Sequence, residues 1–414
     1  MVKQGYKQTE IGVMPEDWEV KFVKEFTNCT AGGTPSTQIK EYWNGNIPWM
    51  NSGELNKKKV YDVENSITEL GYNNSSTKLI PEKCVLIGLA GQGKTRGTVA
   101  INFMELCINQ SIGAFLPSKQ YITEYLFYNL ENRYEEIRGL SSGDGGRGGL
   151  NLQILKSLQI PLPPLPEQEA IAEALSDADA WIASLKQLIA KKRLIKQGAM
   201  QELLTPRDDW ESKSLFEIAD KKRDLFNDGD WIESEHIIDE GIRLVQTGNI
   251  GIGKFLNKGG RKYISEKSFN DLKCKEIKEG DLLICRLAEP AGRACIFPKT
   301  EDYKSVTSVD VTIFRPDVQK YNREFLMYTF CTNEWFTDII EKVGGTTHKR
   351  ISRGNLGGVS IKIPSLSEQT RIAAILSDMD AELEALERQL GKARQIKQGM
   401  MQELLTGKTR LIDN

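Results

Sequence analysis

The strongest constraint on the fold is a segment that the chain contains twice. Residues 160–205 and 361–406 align without a gap at an offset of 201 residues, and 25 of the 46 paired positions are identical. Glu167-Gln168 returns as Glu368-Gln369, Leu175-Ser176-Asp177 as Leu376-Ser377-Asp378, and Ile195-Lys196-Gln197-Gly198 as Ile396-Lys397-Gln398-Gly399. The run MQELLT occurs letter for letter from Met200 to Thr205 and from Met401 to Thr406. A period of this length exceeds any solenoid repeat and marks a duplicated module.

Each copy predicts a long amphipathic helix. In the second, Ile372, Leu376, Met379, Leu383, Leu386, Leu390, Ala393, Met400 and Leu404 keep 3/4 spacing, with Lys397 as the polar interruption. In the first, Ile171, Leu175, Ala178, Ile182, Leu185 and Ile189 do the same. The prolines of Ile160 to Pro166 delay the first helix to Glu167. Ser365 to Glu368 offers a capping box to the second, and Pro206 and Gly407 stop the two. A helix of about 38 residues is about 57 Å long at ~1.5 Å per residue.

The flanking segments, 1–159 and 206–360, are each larger than the repeat and differ from one another. The 414 residues therefore divide into a globular domain at 1–159, a helical segment at 160–205, a second globular domain at 206–360 and a second helical segment at 361–414. In the first domain, Cys84–Ile87, Thr98–Ile101 and Ile112–Leu116 read as strands and Thr123–Ile137 as a helix. The second domain follows the same plan. Asp209-Trp210-Glu211 echoes Asp17-Trp18-Glu19, and Phe325-Leu326-Met327-Tyr328 answers Tyr125-Leu126-Phe127-Tyr128. A duplicated protein that keeps its helices alike while its globular domains diverge docks a common partner twice and recognises two different things.

The net charge is −2, which argues against a strongly basic, sequence-independent nucleic-acid binder but not against a reader with cations gathered on one face. Seven cysteines without a Cys-x-x-Cys and only two histidines, His236 and His348, point to reduced, mostly buried thiols and no metal site. No apolar run approaches a membrane span, and the first residues lack the order of a signal peptide, so a cytoplasmic location without membrane contact is expected.

Gly88 to Thr95 satisfies the phosphate-loop pattern G-x-x-x-x-G-K-[ST], which makes nucleotide binding the alternative function. A phosphate loop must open a helix, whereas Arg96 to Ile101 reads as a strand, so a hairpin presenting Gln92, Lys94 and Arg96 to a polyanion is the better reading. No methyltransferase Asn-Pro-Pro-aromatic motif, nucleophile elbow or His-Glu-x-x-His is present, and no catalytic residue is assigned. Base readout wants Arg, Lys, Asn, Gln, Ser and Thr on loops held by a rigid scaffold. The candidates in the first domain are Ser36, Asn51, Gln92, Lys94, Arg96, Asn109, Gln110 and Arg147. Those in the second are Gln246, Asn249, Arg286, Arg293, Thr307, His348, Lys349 and Arg350. Trp43 and Trp49 read as loop anchors rather than DNA contacts.

The whole layout resembles the specificity subunits of Type I restriction-modification systems. Ile160 to Gln168 with Ile171-Ala172 and Leu175-Ser176-Asp177, and the matching residues of the second copy, carry the resemblance. Ile11 to Trp18, Gly32 to Ser36, Tyr42-Trp43 and Ile47-Pro48-Trp49 add to it. The resemblance implies an α+β fold with two mixed α/β target recognition domains, joined by two long helices in an antiparallel coiled coil with a pseudo-two-fold repeat. It implies that each domain reads half of a bipartite, asymmetric site in double-stranded DNA. The helices would set the unread spacer and dock two modification (methyltransferase) subunits, with restriction subunits joining them. S-adenosylmethionine, ATP and Mg would belong to those partners and no cofactor to this non-catalytic chain. The polar positions that the seam leaves unexplained, Lys196, Gln197, Gln201 and Glu202 with Lys397, Gln398, Gln402 and Glu403, are the expected methyltransferase contacts. The other reading is that they close the helices on each other.

Overall fold

The computed structural model describes residues 4–91, 93, 95–140, 149–287, 289–345 and 349–412. Gln92, Lys94, Arg147 and His348 of the candidate readers lie outside the described residues. Contacts divide the chain into two compact units, Met1–Lys186 with Arg388–Asn414, and Gln187–Glu387. The division runs through both long helices. Each unit is one globular domain packed on the beginning of one helix and the end of the other.

Both helices form at full length, Leu165–Leu203 and Leu366–Leu404, 39 residues each. The first begins two residues earlier than its prolines suggested. Pro166 occupies the first turn, where the missing N–H has no partner to lose, and Glu167 and Gln168 N–H both donate to Pro164 O. Ser365 Oγ accepts from Glu368 N–H at 3.4 Å, supplying the expected cap of the second helix. Ile171, Leu175, Ala178, Ile182, Leu185 and Ile189 are buried as their spacing predicts. In the second helix Ile372, Leu376, Ala393 and Leu404 are buried, but Met401 enters the core in place of Met400.

The two domains repeat one topology. In the first, counted on the described residues, a five-stranded sheet runs in the order Cys29–Ala31, Ile112–Phe115, Val85–Gly88, Val99–Asn102, Lys59–Val60. In the second, the order is Phe226–Asp228, Val311–Phe314, Leu282–Cys285, Ala294–Ile296. Beside each sheet lies another, built on a parallel pair: Trp43–Met50 with Leu106–Ile108, and Ile242–Val245 with Ser305–Thr307. A two-stranded ribbon closes each domain onto its helix entry, Glu19–Phe22 with Gln159–Leu162, and Glu211–Ser214 with Ser360–Ile363. The expected helix over 123–137 is broken at Arg133 into Thr123–Asn132 and Tyr134–Gly139. There the Arg133 guanidinium is anchored on Gln159 O and Glu136.

Within each unit the start of one long helix meets the end of the other, so the two segments are antiparallel. In the first unit Ile171 and Leu175 share a core with Met401, Leu404 and Leu405. In the second, Ile372 and Leu376 share one with Leu204 and the half-buried Met200 and Leu203. Just past each helix end an arginine reaches the glutamate of the opposite start, fully buried at Glu167 and half-buried at Glu368. Arg410 binds both oxygens of Glu167 and also Asp17, and Arg207 pairs with Glu368 at 3.1 Å. The neighbouring glutamines couple helix to domain. Gln168 Oε1 accepts from Ile122 N–H at the start of 123–132, and Gln369 Oε1 accepts from Asn322 N–H at the start of 323–329, both at 2.9 Å.

A second repeated device lies about three turns further on. Tyr128 donates to Asp179 (2.9 Å) beside Ser176, and Lys397 from the opposite helix pairs with Asp179 (2.7 Å) and Glu131 (3.1 Å) while lying over the Tyr128 ring. In the second unit Tyr328 donates to Asp380 (2.7 Å) beside Ser377, and Lys196 pairs with Asp380 over the Tyr328 ring. The lysine that interrupted the apolar seam is thus held by the helix it packs on and by the globular domain.

This network has a measurable weight. Replacing Lys397 with Ala leaves Asp179 without its cation and Glu131 with Lys58 alone, and should cost about 2 kcal/mol, the scale of a charged hydrogen bond; a lower urea midpoint would show it. Lys397→Met, which keeps the stem, should cost less. Lys196→Ala should also cost less, because Lys196 is more exposed (18% against 11% for the side chain) and faces one carboxylate. The seven cysteines are unpaired, five of them buried. Burial pushes the Cys84, Cys295 and Cys331 thiols up to about 12. Native protein should therefore react slowly with a thiol reagent at pH 8, and all seven should react once it is unfolded. These thiols are raised in the folded state. Their contribution to stability is complete below their ordinary value of 9.0 and is lost as the pH climbs from there toward about 12.

Candidate nucleic-acid interface

Where the parallel strand pair ends stand Ser36, Asn51, Asn109 and Gln110 in the first domain and Gln246, Asn249 and Thr307 in the second. In the first, Asn109 N–H donates to Met50 O at 3.1 Å, which sets Asn109 and Gln110 beside Asn51. The segment Gly32–Ser36 crosses the same edge. Gly33 N–H donates to Ile108 O, and a β-carbon on Gly32 would lie 1.7 Å from that oxygen, so only glycine passes. Trp49 Nε1 holds Gly33 O at 3.0 Å and Trp43 Nε1 holds Ser36 O at 3.1 Å, with the two indoles edge to face at 5.0 Å. The tryptophans anchor the loop, and Ser36 stands exposed at its tip. Thr34 donates to Gln110 Oε1, tying this loop to the next. Asn51 is only half available: its amide heads the turn Ser52–Lys57, accepting from Gly53 N–H and donating to Glu54. Asn109 Oδ1 likewise accepts from Ser111 N–H.

The phosphate-loop pattern does not build a phosphate loop. Val85–Gly88 and Val99–Asn102 are neighbouring antiparallel strands; Gly88 ends the first, and among the described residues no helix opens at Thr95. The next residue is tied to the reading edge, because Leu89 N–H donates to Ser111 O at 2.8 Å. Arg96 is buried rather than displayed.

The second domain repeats the crossing. Asp230 N–H donates to Thr307 O, and a β-carbon on Gly229 would lie 2.3 Å from that oxygen. Here the structure revises three expected readers. Thr307 is fully buried and its hydroxyl donates to Val245 O. Arg286 is 3% exposed; it donates to Ile351 O and Val309 O and pairs with Asp228 at 3.1 Å. Burial depresses its pKa, and Asp228 opposes that. Arg293 donates to Ile250 O, Thr247 O, Leu287 O and Pro290 O. Arginine is chosen at 286 and 293 because its five donors can bind several loop carbonyls at once. These side chains fasten the loops at 247–250, 287–290, 309 and 351 to one another, and they do not face outward.

Of the expected readers in this domain, four stand at or near the surface. Lys349 is exposed, and the half-buried Arg350 pairs with Asp310 at 3.1 Å. Gln246 and Asn249 flank the turn Thr247–Asn249, whose Asn249 amide is used on Leu256 O and Gln246 N–H. Sequence reasoning passed over Asn257–Lys262, an exposed glycine-rich loop with three cations. It also passed over Tyr128 and Tyr328, although their equivalence was visible in the matched runs YLFY and FLMY.

On the long helices, Lys196 and Lys397 are consumed inside the chain, as above. Gln197, Gln201 and Glu202 are exposed, as are Gln398, Gln402 and Glu403. Beside them Ile195 and Ile396 are 47% and 40% exposed, at corresponding positions of the repeat. No helix among the described residues is long and apolar enough to cross a membrane.

Known proteins show the same arrangement. The specificity subunit of Type I restriction enzyme MjaVIII from Methanocaldococcus jannaschii is 24% identical over 438 residues, which cover 99% of this chain and 98% of the relative. That of EcoR124I/EcoR124II from Escherichia coli is 27% identical over 196 residues, 46% of this chain and 48% of the relative. The S subunit of a Type I system from M. genitalium shares the fold with a TM-score of 0.57 at 17% identity, over 94% of this chain and 96% of that one. The HsdS subunit from Thermoanaerobacter tengcongensis does so with a TM-score of 0.52 at 17% identity, over 99% and 100%. A family model described as the Type I restriction modification DNA specificity domain matches residues 15–192 and again 207–395. With both repeats matched over most of its length, the chain belongs to the Type I restriction-modification specificity subunits, the DNA-recognising family of those systems.

Proposed function

We propose that each globular domain reads one half of a bipartite, asymmetric DNA site, with the long helices setting the unread spacer and carrying two modification subunits. The reading rests on one observation above all: the helix surface is presented twice with the same residues, while the loops at the two sheet edges share almost none. Identical surfaces suit identical partners, and unlike loops suit unlike sequences. In the first domain Ser36, Asn109 and Gln110, with Asn51 behind them, are the proposed reading edge; Gln92 and Lys94 lie outside the described residues. In the second, Gln246 and Lys349 are the proposed contacts, and Arg286, Arg293 and Thr307 hold the loops. Amide side chains suit adenine and lysine suits guanine or phosphate. Restriction subunits complete the assembly. S-adenosylmethionine, ATP and Mg serve the partner subunits, which supply methylation and cleavage.

Domain exchange tests the division of labour. Replacing residues 1–159 with the corresponding domain of a relative, in complex with the modification subunits, should change one half of the protected sequence and leave the other half as it was. A footprint altered in both halves, or in neither, would refute the assignment. The docking surface has its own test. Ile195→Glu should remove one modification subunit from the purified complex, and Ile195→Glu with Ile396→Glu should remove both, as native mass measurement would count. Retention of two subunits by the double variant would move the docking site elsewhere.

A further inference from the structure

The loop Asn257–Lys262 carries a site that the reading edge does not account for. It starts from a fixed point. Arg243, 2% exposed, donates to Asn257 Oδ1 at 2.9 Å and to Asp302 at 2.8 Å, with the Phe255 ring 5.3 Å from its guanidinium. Beyond that anchor the loop stands clear of the domain: a β-carbon on Gly259 or Gly260 would meet nothing within 4 Å. Between the loop and the turn Thr247–Asn249 lies a cavity of about 220 Å³. At ~30 Å³ per water it has room for a hydrated oxyanion.

The cavity's electrostatics are one-sided. Arg243, Lys258, Arg261 and Lys262 all line it, and none of its lining residues is acidic. Asp302 neutralises Arg243 and lies 3.6 Å from Arg261. Lys258 and Lys262 have no carboxylate partner among the described residues. Lys258 Nζ overhangs the turn, 3.9 Å from where a β-carbon on Gly248 would stand. The corresponding stretch of the first domain, residues 60–65, enters the strand beside Trp49 as this loop enters the strand beside Leu244, and it carries Asp62 and Glu64 and no cation. Leaving several like charges together on one short loop is unfavourable unless an anion offsets them.

We propose that this cavity seats a phosphate of the DNA backbone, with Lys258, Arg261 and Lys262 as its ligands. The proposal rests on the second domain reading DNA. A phosphate held here would fix the register of the turn that carries Gln246, since both line the same cavity. The second domain would thus use a backbone clamp at a place where the first domain carries two carboxylates.

The experiment compares the full chain with its modification subunits against the variants Lys258→Ala and Lys258→Ala/Arg261→Ala/Lys262→Ala on the footprinted duplex. Affinity is measured across a salt series. Each lost phosphate contact should lower the log–log salt slope by about 1, with the protected sequence unchanged. A neutral methylphosphonate at the contacted position in the second half-site should weaken the wild type and leave the triple variant unaffected. An unchanged slope in the triple variant, with its melting temperature also unchanged, would overturn the proposal. Stabilisation of the wild type alone by inorganic phosphate, without a change in DNA salt slope, would also overturn it by assigning the cavity to a free anion. If the wild type protects no split sequence at all, the reading of the domain fails before the loop is tested.

Discussion

Two carboxylates on the long helices, Asp179 and Asp380, organise the molecule. Each accepts from a tyrosine of a globular domain and pairs with a lysine of the opposite helix. An apolar seam alone tolerates sliding, because one leucine replaces another at small cost. A half-buried lysine does not, because a shift of one turn would strand its charge. The aspartate thus fixes which turn of one helix faces which turn of the other, and the tyrosine fixes the domain to that same turn. Gln168 and Gln369 add a second point of attachment at the helix starts. Two attachments per domain restrain it about the helix axis, as a reader that must meet a groove in one orientation requires.

Much of this was legible from the residues. The duplication, the two helices, the strands around Val85, Val99 and Ile112, and the anchoring tryptophans all follow from spacing and side-chain type. Those signals are local, and tertiary packing reinforced them. The site was legible only as a set of loops. Arg286, Arg293 and Thr307 have the right chemistry for base edges and spend it on backbone carbonyls instead. Sequence shows donors but not what they face, and a loop that must be rigid consumes its own arginines to become so. The lysine in the seam shows the same limit from the other side. Lys397 looked like a break in an apolar pattern, yet Glu131, distant in sequence, helps to hold it.

The two domains also show how a shared frame admits different readers. Gly32 and Gly229 pass the end of a strand at equivalent places, and the next residue donates to the same carbonyl in each. That crossing belongs to the scaffold. Beyond it the first domain closes its loop with tryptophans and the second with arginines. The tyrosine that meets each helix is kept through this divergence, while Glu131 helps to hold Lys397 and not Lys196.

The composition of the first unit has a consequence for biosynthesis. Its last segment, Arg388–Asn414, is separated from Met1–Lys186 by the 201 residues of the other unit. At about 5–20 residues per second of translation, the early part would wait on the order of 10–40 s for its closing piece. Until then Glu167, fully buried in the finished fold, lacks Arg410, and Ile171 and Leu175 lack their cover. The middle of the chain closes its fold from contiguous residues, and the beginning does not. Until its closing piece arrives, the early-made domain holds that apolar turn open to water.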